Sequence, residues 1–132
     1  EMEYGPQILW PDHCIQGSTG ASFHKNLNTN KSDIILRKGS NPKIDSYSAF
    51  FENDKNTTTG LEGYLKKKDI KRLYLCGLAF DYCVFYSALD GANLGFEVYV
   101  FKDLTKAIDL NDSKKTAKKS MIEKGIKLIN FS

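Results

Sequence analysis

Between Arg72 and Ile129 the sequence alternates short β-rich runs with stretches of helical periodicity, and few folds accept that rhythm. Residues 71–78, with Leu73, Leu75 and Leu78 among them, read as a buried strand, and residues 82–94 as a helix ended by Gly95. Phe96-Glu97-Val98-Tyr99-Val100-Phe101 reads as the next strand. Ser113 is placed to cap a helix containing Ala117, Met121 and Ile122, Gly125 stops it, and Ile126-Lys127-Leu128-Ile129 makes a short last strand. Strands separated by helices of about 10 to 15 residues predict a parallel sheet with helices on both faces. The expected fold class is therefore α/β, three-layered, with a mostly parallel sheet.

Upstream, Asp33-Ile34-Ile35-Leu36-Arg37 reads as a further short strand, and Thr59 as the cap of a helix running through Leu61, Tyr64 and Leu65 into lysines. The Asn- and Lys-rich stretches 25–32 and 53–58 read as polar loops. The first 24 residues, with Trp10, Pro11, His13, Cys14 and Gly17, lack periodicity and read as an ordered loop. At 132 residues, 41% hydrophobic and 27% charged, the chain is expected to form one domain spanning residues 1–132.

Charge excludes more than it suggests. The net charge is +3, and the lysines are scattered or clustered on apparent helix faces without interleaved aromatics, so nucleic acid is not an expected partner. No apolar run reaches membrane-spanning length and no signal segment opens the chain, so no membrane partner is expected either. Three cysteines without Cys-x-x-Cys spacing suggest neither a disulfide framework nor a zinc ribbon, which fits a cytoplasmic location. Homo-oligomerisation is left open.

In open parallel sheets, ligands bind beyond the carboxyl ends of the strands. Cys83 falls there, between the strand ending at Leu78 and the helical run Val84-Phe85-Tyr86-Ser87-Ala88-Leu89. Free N–H groups and the positive end of a helix dipole favour a thiolate at such a junction and can cradle an oxyanion. The same position also suits a small buried hydrophobe. Lys38, at the end of the expected Asp33–Arg37 strand, would stabilise a thiolate if it lay beside Cys83; otherwise it is a surface lysine. Asp81 reads as a helix N-cap ahead of Cys83.

Four motifs occur in order: Trp10-Pro11-Asp12-His13-Cys14, Arg37-Lys38-Gly39, Asp45-Ser46-Tyr47-Ser48-Ala49-Phe50 and Cys76-Gly77-Leu78-Ala79-Phe80-Asp81-Tyr82-Cys83-Val84. Together they resemble the nicotinamidases, the nicotinamide/pyrazinamide amidohydrolase branch of the isochorismatase-like cysteine hydrolases. The resemblance runs from Trp10 to the end of the chain and implies the isochorismatase-like hydrolase fold.

It also implies hydrolysis of nicotinamide to nicotinic acid and ammonia, an activity that feeds NAD salvage. Cys83 corresponds to the nucleophile that forms a thioester, and Lys38 to the catalytic lysine beside it. Ala79 corresponds to the residue whose backbone N–H joins that of Cys83 in an oxyanion hole, following a cis Leu78–Ala79 peptide. Trp10 and Tyr47 correspond to aromatic residues packing on the pyridine ring. His13 corresponds to one ligand of a divalent metal ion, with zinc first and iron or manganese as alternatives.

Taken without the family, His13 reads as a surface or capping residue, Tyr47 equally well as core, and Ala79 as a small residue in a tight turn. His24 matches no family ligand. Family members carry, upstream of the Trp-Pro-x-His-Cys motif, a strand with the catalytic aspartate and an Asp-x-His pair of metal ligands. Only nine residues precede Trp10, and none supplies that pattern. The resemblance therefore implies a domain incomplete at its N-terminus, with the aspartate, two metal ligands and a strand absent from this chain. Such a polypeptide is expected to be inactive or barely active alone. Two rival readings are another amidohydrolase of the superfamily and a non-catalytic binding or assembly module.

Overall fold

Strand β1 (Arg72–Leu78) opens a three-stranded sheet completed by β2 (Glu97–Lys106) and β3 (Lys127–Ile129), in the order β1-β2-β3 with every pairing parallel. The computed structural model describes all residues, 1–132. Helix α2 (Phe85–Asn93) returns the chain from β1 to β2, and α3 (Ser113–Glu123) from β2 to β3. The parallel sheet with crossover helices is the α/β class that the spacing predicts; the helices meet it on one face, and no second helical layer covers the other. Gly95 (φ 91°) and Gly125 (φ 79°) end the two helices in left-handed geometry, which glycine adopts without a Cβ clash.

The alternation in β1 and β2 decides which side is buried. Leu73, Val98 and Val100 point into a cluster with Ala88 of α2 and Ala117 and Met121 of α3, closed by Phe50, Phe80, Val84, Phe96 and Ile126. Leu61 and Leu65 of α1 (Leu61–Lys67) pack on the same cluster. Helix and sheet touch closely at Gly91: a Cβ there would stand 3.1 Å from Leu73 Cδ1 and 3.3 Å from Phe50 Cε2. The opposite face carries Tyr74, stacked on Tyr99 with ring centroids 4.8 Å apart, and Leu78, which is 71% exposed.

Four local expectations need correction. Asp33–Arg37 is not a strand: the segment is unpaired, with Ile34 and Ile35 exposed, because a β-rich run becomes a strand only where another backbone accepts its ladder. Ser113 does not cap α3; its hydroxyl donates to Asp81 Oδ2 at 2.5 Å. Asp81 is not an N-cap; it lies inside the turn that precedes α2, and its carboxylate accepts from the N–H groups of Ile108 (2.9 Å) and Asp109 (2.7 Å). The second strand runs to Lys106 rather than ending at Phe101. Thr59 does act near the start of α1, accepting from Leu61 N–H at 3.3 Å, while Gly60 takes the left-handed turn into the helix.

The β1–β2 register breaks between Leu75 and Gly77, and Thr105 Oγ1 donates to Gly77 O at 2.6 Å beyond the break. There β1 ends, the Leu78–Ala79 peptide is cis, and the chain winds through a wide π-helical turn, Phe80–Val84, directly into α2. Residues 1–58 contain almost no regular structure, only a short 3-10 turn at Thr19–Ala21 and the isolated bridges Met2–Gly5 and Phe51–Thr58. No helix is long and apolar enough to cross a membrane.

Candidate active site

Cys83 lies in that wide turn, half-buried, at the carboxyl end of β1. The N–H groups on either side of it, Tyr82 and Val84, both donate to Ala79 O (3.2 and 3.0 Å). Its own carbonyl accepts from Ser87 Oγ at 2.6 Å, and Ser87 Oγ in turn accepts from Ala49 N–H at 2.9 Å. One buried hydroxyl thus clamps the cysteine turn to the loop that carries Tyr47. The Ala79 N–H donates to no protein acceptor, which leaves a polar hydrogen free at the base of the turn.

Lys38 reaches this turn from the irregular half of the chain. Its Nζ stands 3.5 Å from Cys83 Sγ and donates to Ser46 O at 2.5 Å. Gly39 takes the left-handed bend that follows (φ 69°), turning the chain away once the lysine has been delivered. Lys38 enters no ion pair, so its charge is not neutralised by a carboxylate within the chain. An ammonium that close to sulfur stabilises the negative charge an attacking thiolate carries.

Aromatic side chains gather beside the same turn. The Trp10 ring meets Tyr82 edge-on (centroids 4.9 Å), and Tyr47 packs between Tyr82 (5.5 Å) and Tyr86 (5.4 Å). Trp10 Nε1 donates to the Tyr47 hydroxyl at 3.0 Å. Burial pushes the Tyr47 phenol up, hydrogen bonds from Trp10 and Gln7 offset part of this, and the Asp45 charge adds to the rise, so the hydroxyl keeps its proton at neutral pH. Burial raises the Tyr86 phenol in the same way.

His13 lies apart from the sulfur. It is exposed, its Nδ1 is 2.7 Å from Pro11 O, and it lines a cavity of about 320 Å³ together with Trp10, Gly39 and Asp45. The Pro11 contact leaves Nε2 as the nitrogen able to bind a metal. No three His, Cys, Asp or Glu side chains converge on it, so these residues offer one ligand and do not by themselves fit a metal centre. His24 is remote in role as well, accepting from Asn26 N–H on an exposed loop.

The structure therefore joins Cys83, Lys38 and Ala79 around one turn, and Trp10 with Tyr47 beside it. It leaves His13 across the Trp10 cavity and turns Asp81 away toward residues 108–113. Burial acts to raise the Asp81 carboxyl, but the Ser113 hydroxyl and the two backbone N–H groups outweigh it and hold the carboxyl below its usual range. Two contributors escape sequence reasoning, Ser87 and Gln7. Ser87 stands four residues after Cys83, the spacing at which a helical hydroxyl returns to a carbonyl, and that was its one visible signal.

Comparison with known proteins gives this geometry a context. Residues 3–131 match the isochorismatase domain. A nicotinamidase of Acinetobacter baylyi is 45% identical over 130 residues, covering 98% of this chain and 61% of that protein. A solved nicotinamidase/pyrazinamidase of Acinetobacter baumanii superposes with a TM-score of 0.96 at 48% identity, covering 98% of this chain and 63% of that one. The pyrazinamidase of Pyrococcus horikoshii, solved in complex with zinc, superposes at 0.78 with 35% identity, covering 93% of this chain and 64% of that one. The chain thus spans somewhat under two thirds of the length of these relatives.

Proposed function

This chain belongs to the isochorismatase-domain family, and from that premise we propose that it is part of a nicotinamidase, an amidohydrolase that converts nicotinamide to nicotinic acid and ammonia. The observation that carries the proposal is the 3.5 Å approach of Lys38 Nζ to Cys83 Sγ, in a turn whose Ala79 N–H is unused. The sulfur adds to the carboxamide carbon and negative charge passes to the carbonyl oxygen, which the N–H groups of Ala79 and Cys83 receive. One missing donor in such a hole typically costs about a hundredfold or more in rate. The C–N bond then breaks, the nitrogen leaves as ammonia with the proton the thiol gave up, and a thioester remains on Cys83. Water adds to the thioester carbon, the C–S bond breaks, and the acid departs.

Trp10 and Tyr47 hold the flat pyridine ring in this reading, a use that suits rigid aromatic side chains with polar edges. His13 contributes one ligand to a divalent-metal site, zinc first, with iron or manganese as alternatives. The zinc-bound relative supports a metal in the family, while the residues of this chain do not complete the site, and no step is routed through it. A bound metal would supply a positive charge to orient ligand and water. Proton removal from Cys83 needs a base, and its one side-chain partner is the cationic Lys38. The 132-residue polypeptide alone is accordingly predicted to be inactive or barely active. We place the protein in the cytoplasm, in NAD salvage, as a single domain over residues 1–132.

Ammonia release from nicotinamide by the full-length protein tests the proposal. Activity abolished by Cys83→Ala and by chelation supports it. Turnover of other amides but not nicotinamide assigns a different amidohydrolase, and no turnover of any amide assigns a non-catalytic module.

A further inference from the structure

Gln7 has no part in the reaction above, yet its carboxamide is the most heavily bonded side chain near the site. Its orientation is fixed by chemistry. Nε2 stands 2.7 Å from Asp45 Oδ2, an ionised oxygen that only accepts, while Oε1 accepts from Asn53 Nδ2 (3.0 Å) and from the Tyr4 hydroxyl (3.1 Å). The same Nε2 lies 2.8 Å from the Tyr47 hydroxyl and 3.0 Å from Ile8 O; its two hydrogens serve the two shorter contacts, Asp45 Oδ2 and the Tyr47 hydroxyl. Toward that hydroxyl Nε2 is therefore a donor. The indole N–H of Trp10, which can only donate, reaches the same oxygen at 3.0 Å.

Two donors use both lone pairs of a phenol oxygen. The Tyr47 proton itself has no acceptor in the protein. We infer that Gln7 is a positioning residue that, with Trp10, turns the Tyr47 hydroxyl into a donor only, so that the site selects ligands offering it an acceptor: a ring nitrogen or a carbonyl or carboxylate oxygen. The inference rests on reading Trp10 and Tyr47 as ligand-facing. Gln7 lines both the cavity of about 320 Å³ bordered by Trp10 and a second one of about 240 Å³ bordered by Tyr47, and Tyr82, next to Cys83 in the chain, lines the second. A ligand that itself donates to this phenol finds its lone pairs already taken.

A merely structural Gln7, one that fastens Tyr4, Asp45 and Asn53 together, makes a different prediction, and a double-mutant cycle in the full-length protein separates the two. Trp10 is the sole tryptophan of these 132 residues, and its indole N–H NMR signal, identified by its loss in a Trp10→Phe variant, reports on this contact without any ligand. Gln7→Leu is expected to shift that signal and to raise the KM for nicotinamide and the Kd for nicotinic acid by about tenfold, with kcat little changed. In a Tyr47→Phe background, Gln7→Leu should add less than about twofold. Equal losses in both backgrounds, or an indole signal that Gln7→Leu leaves unmoved, would overturn the inference.

Should Gln7→Leu fail to fold, Tyr47→Phe alone decides the matter: it should reproduce the tenfold loss for nicotinic acid and leave binding of the ring without its nitrogen and carboxylate, benzene, unchanged. Equal loss for both ligands counts against the donor role. A wild-type protein that binds neither nicotinamide nor nicotinic acid, but whose indole signal still moves with Gln7→Leu, removes the substrate assignment and keeps the donor-only phenol.

Discussion

Residues 72–129 and residues 1–58 are held together by different forces. The first stretch is a parallel sheet with two crossover helices over an apolar cluster in which Val100, Ala88 and Met121 are wholly inaccessible. The second has no strand and no α-helix; Phe50 anchors it in that cluster, and the rest is fastened by side-chain hydrogen bonds and ring contacts: Gln7 to Asp45 and Tyr47, Trp10 to Tyr47, Lys38 to Ser46 O. Cys83 and Ala79 belong to the packed half, and the side chains proposed to hold the ligand's ring, Trp10 and Tyr47, belong to the irregular one. The proposed nucleophile is thus set by a scaffold whose backbone bonds are cooperative, while the proposed recognition residues are set by individually weak polar ties. Damage to the first half should appear as lost stability, and damage to the second as lost chemistry in a folded protein.

The largest effect should come from the group of the packed half that Lys38 of the irregular half approaches. In the full-length protein, Cys83→Ala is expected to lower ammonia release from nicotinamide by about a thousandfold or more without lowering the melting temperature, since the side chain is half-buried and small. Met121→Ala, on the packed side, should cost about 2–5 kcal/mol of unfolding free energy by denaturant titration, because the cavity opens at the centre of the cluster. Lys38→Met reverses that signature: about a hundredfold less turnover with near-normal stability. A Lys38→Met variant that melts as early as Met121→Ala would erase the distinction between the halves.

Asp81 tests the distinction from inside the packed half, where a polar tie fixes the loop before α3. Its carboxyl titrates below the roughly 3.9 of an unfolded chain, so its contribution is complete above that pH and is lost as pH falls through the lower folded value. Asp81→Asn should cost about 1–3 kcal/mol at neutral pH, and the melting curves of variant and wild type should converge as the pH falls beneath the ordinary carboxylate range. The smallest effect belongs to Glu97. Lys127, Tyr99 and Arg72 pull its carboxyl from 4.5 down to about 2, yet both cations are exposed and Glu97 itself is only partly covered. Glu97→Gln should leave the melting temperature unchanged, and molar salt should return the wild-type NMR titration toward its ordinary value.

What the sequence reveals follows the same division. The strands at 72–78 and 127–129 and the helix ends at Gly95 and Gly125 are legible because periodicity and left-handed glycines are local properties. Asp33–Arg37 misleads because its composition is β-rich, while strandhood depends on a neighbour that the sequence cannot announce. Asp81 and Ser113 misread for a related reason: each looks like a cap for its own helix, but they bond to one another across 32 residues. The pairing of Lys38 with Cys83, 45 residues apart, is raised in the sequence by an expected strand end that does not form and is otherwise implied by the family resemblance, as is the role of the Ala79 N–H. Gln7 carried no signal at all, since a glutamine acts as a hub only once five partners have been folded around it.

The central claim is that Lys38 makes Cys83 the reactive thiol of this chain. Its three cysteines allow an internal comparison, because Cys14 and Cys76 are exposed whereas Cys83 is half-buried. Exposure alone would make Cys83 the slowest to alkylate. Site-resolved mass spectrometry after brief iodoacetamide treatment near pH 7 should instead find Cys83 modified first, and Lys38→Met should remove that lead. Cys83 reacting more slowly than Cys14 and Cys76, or reacting equally fast without Lys38, would contradict the account.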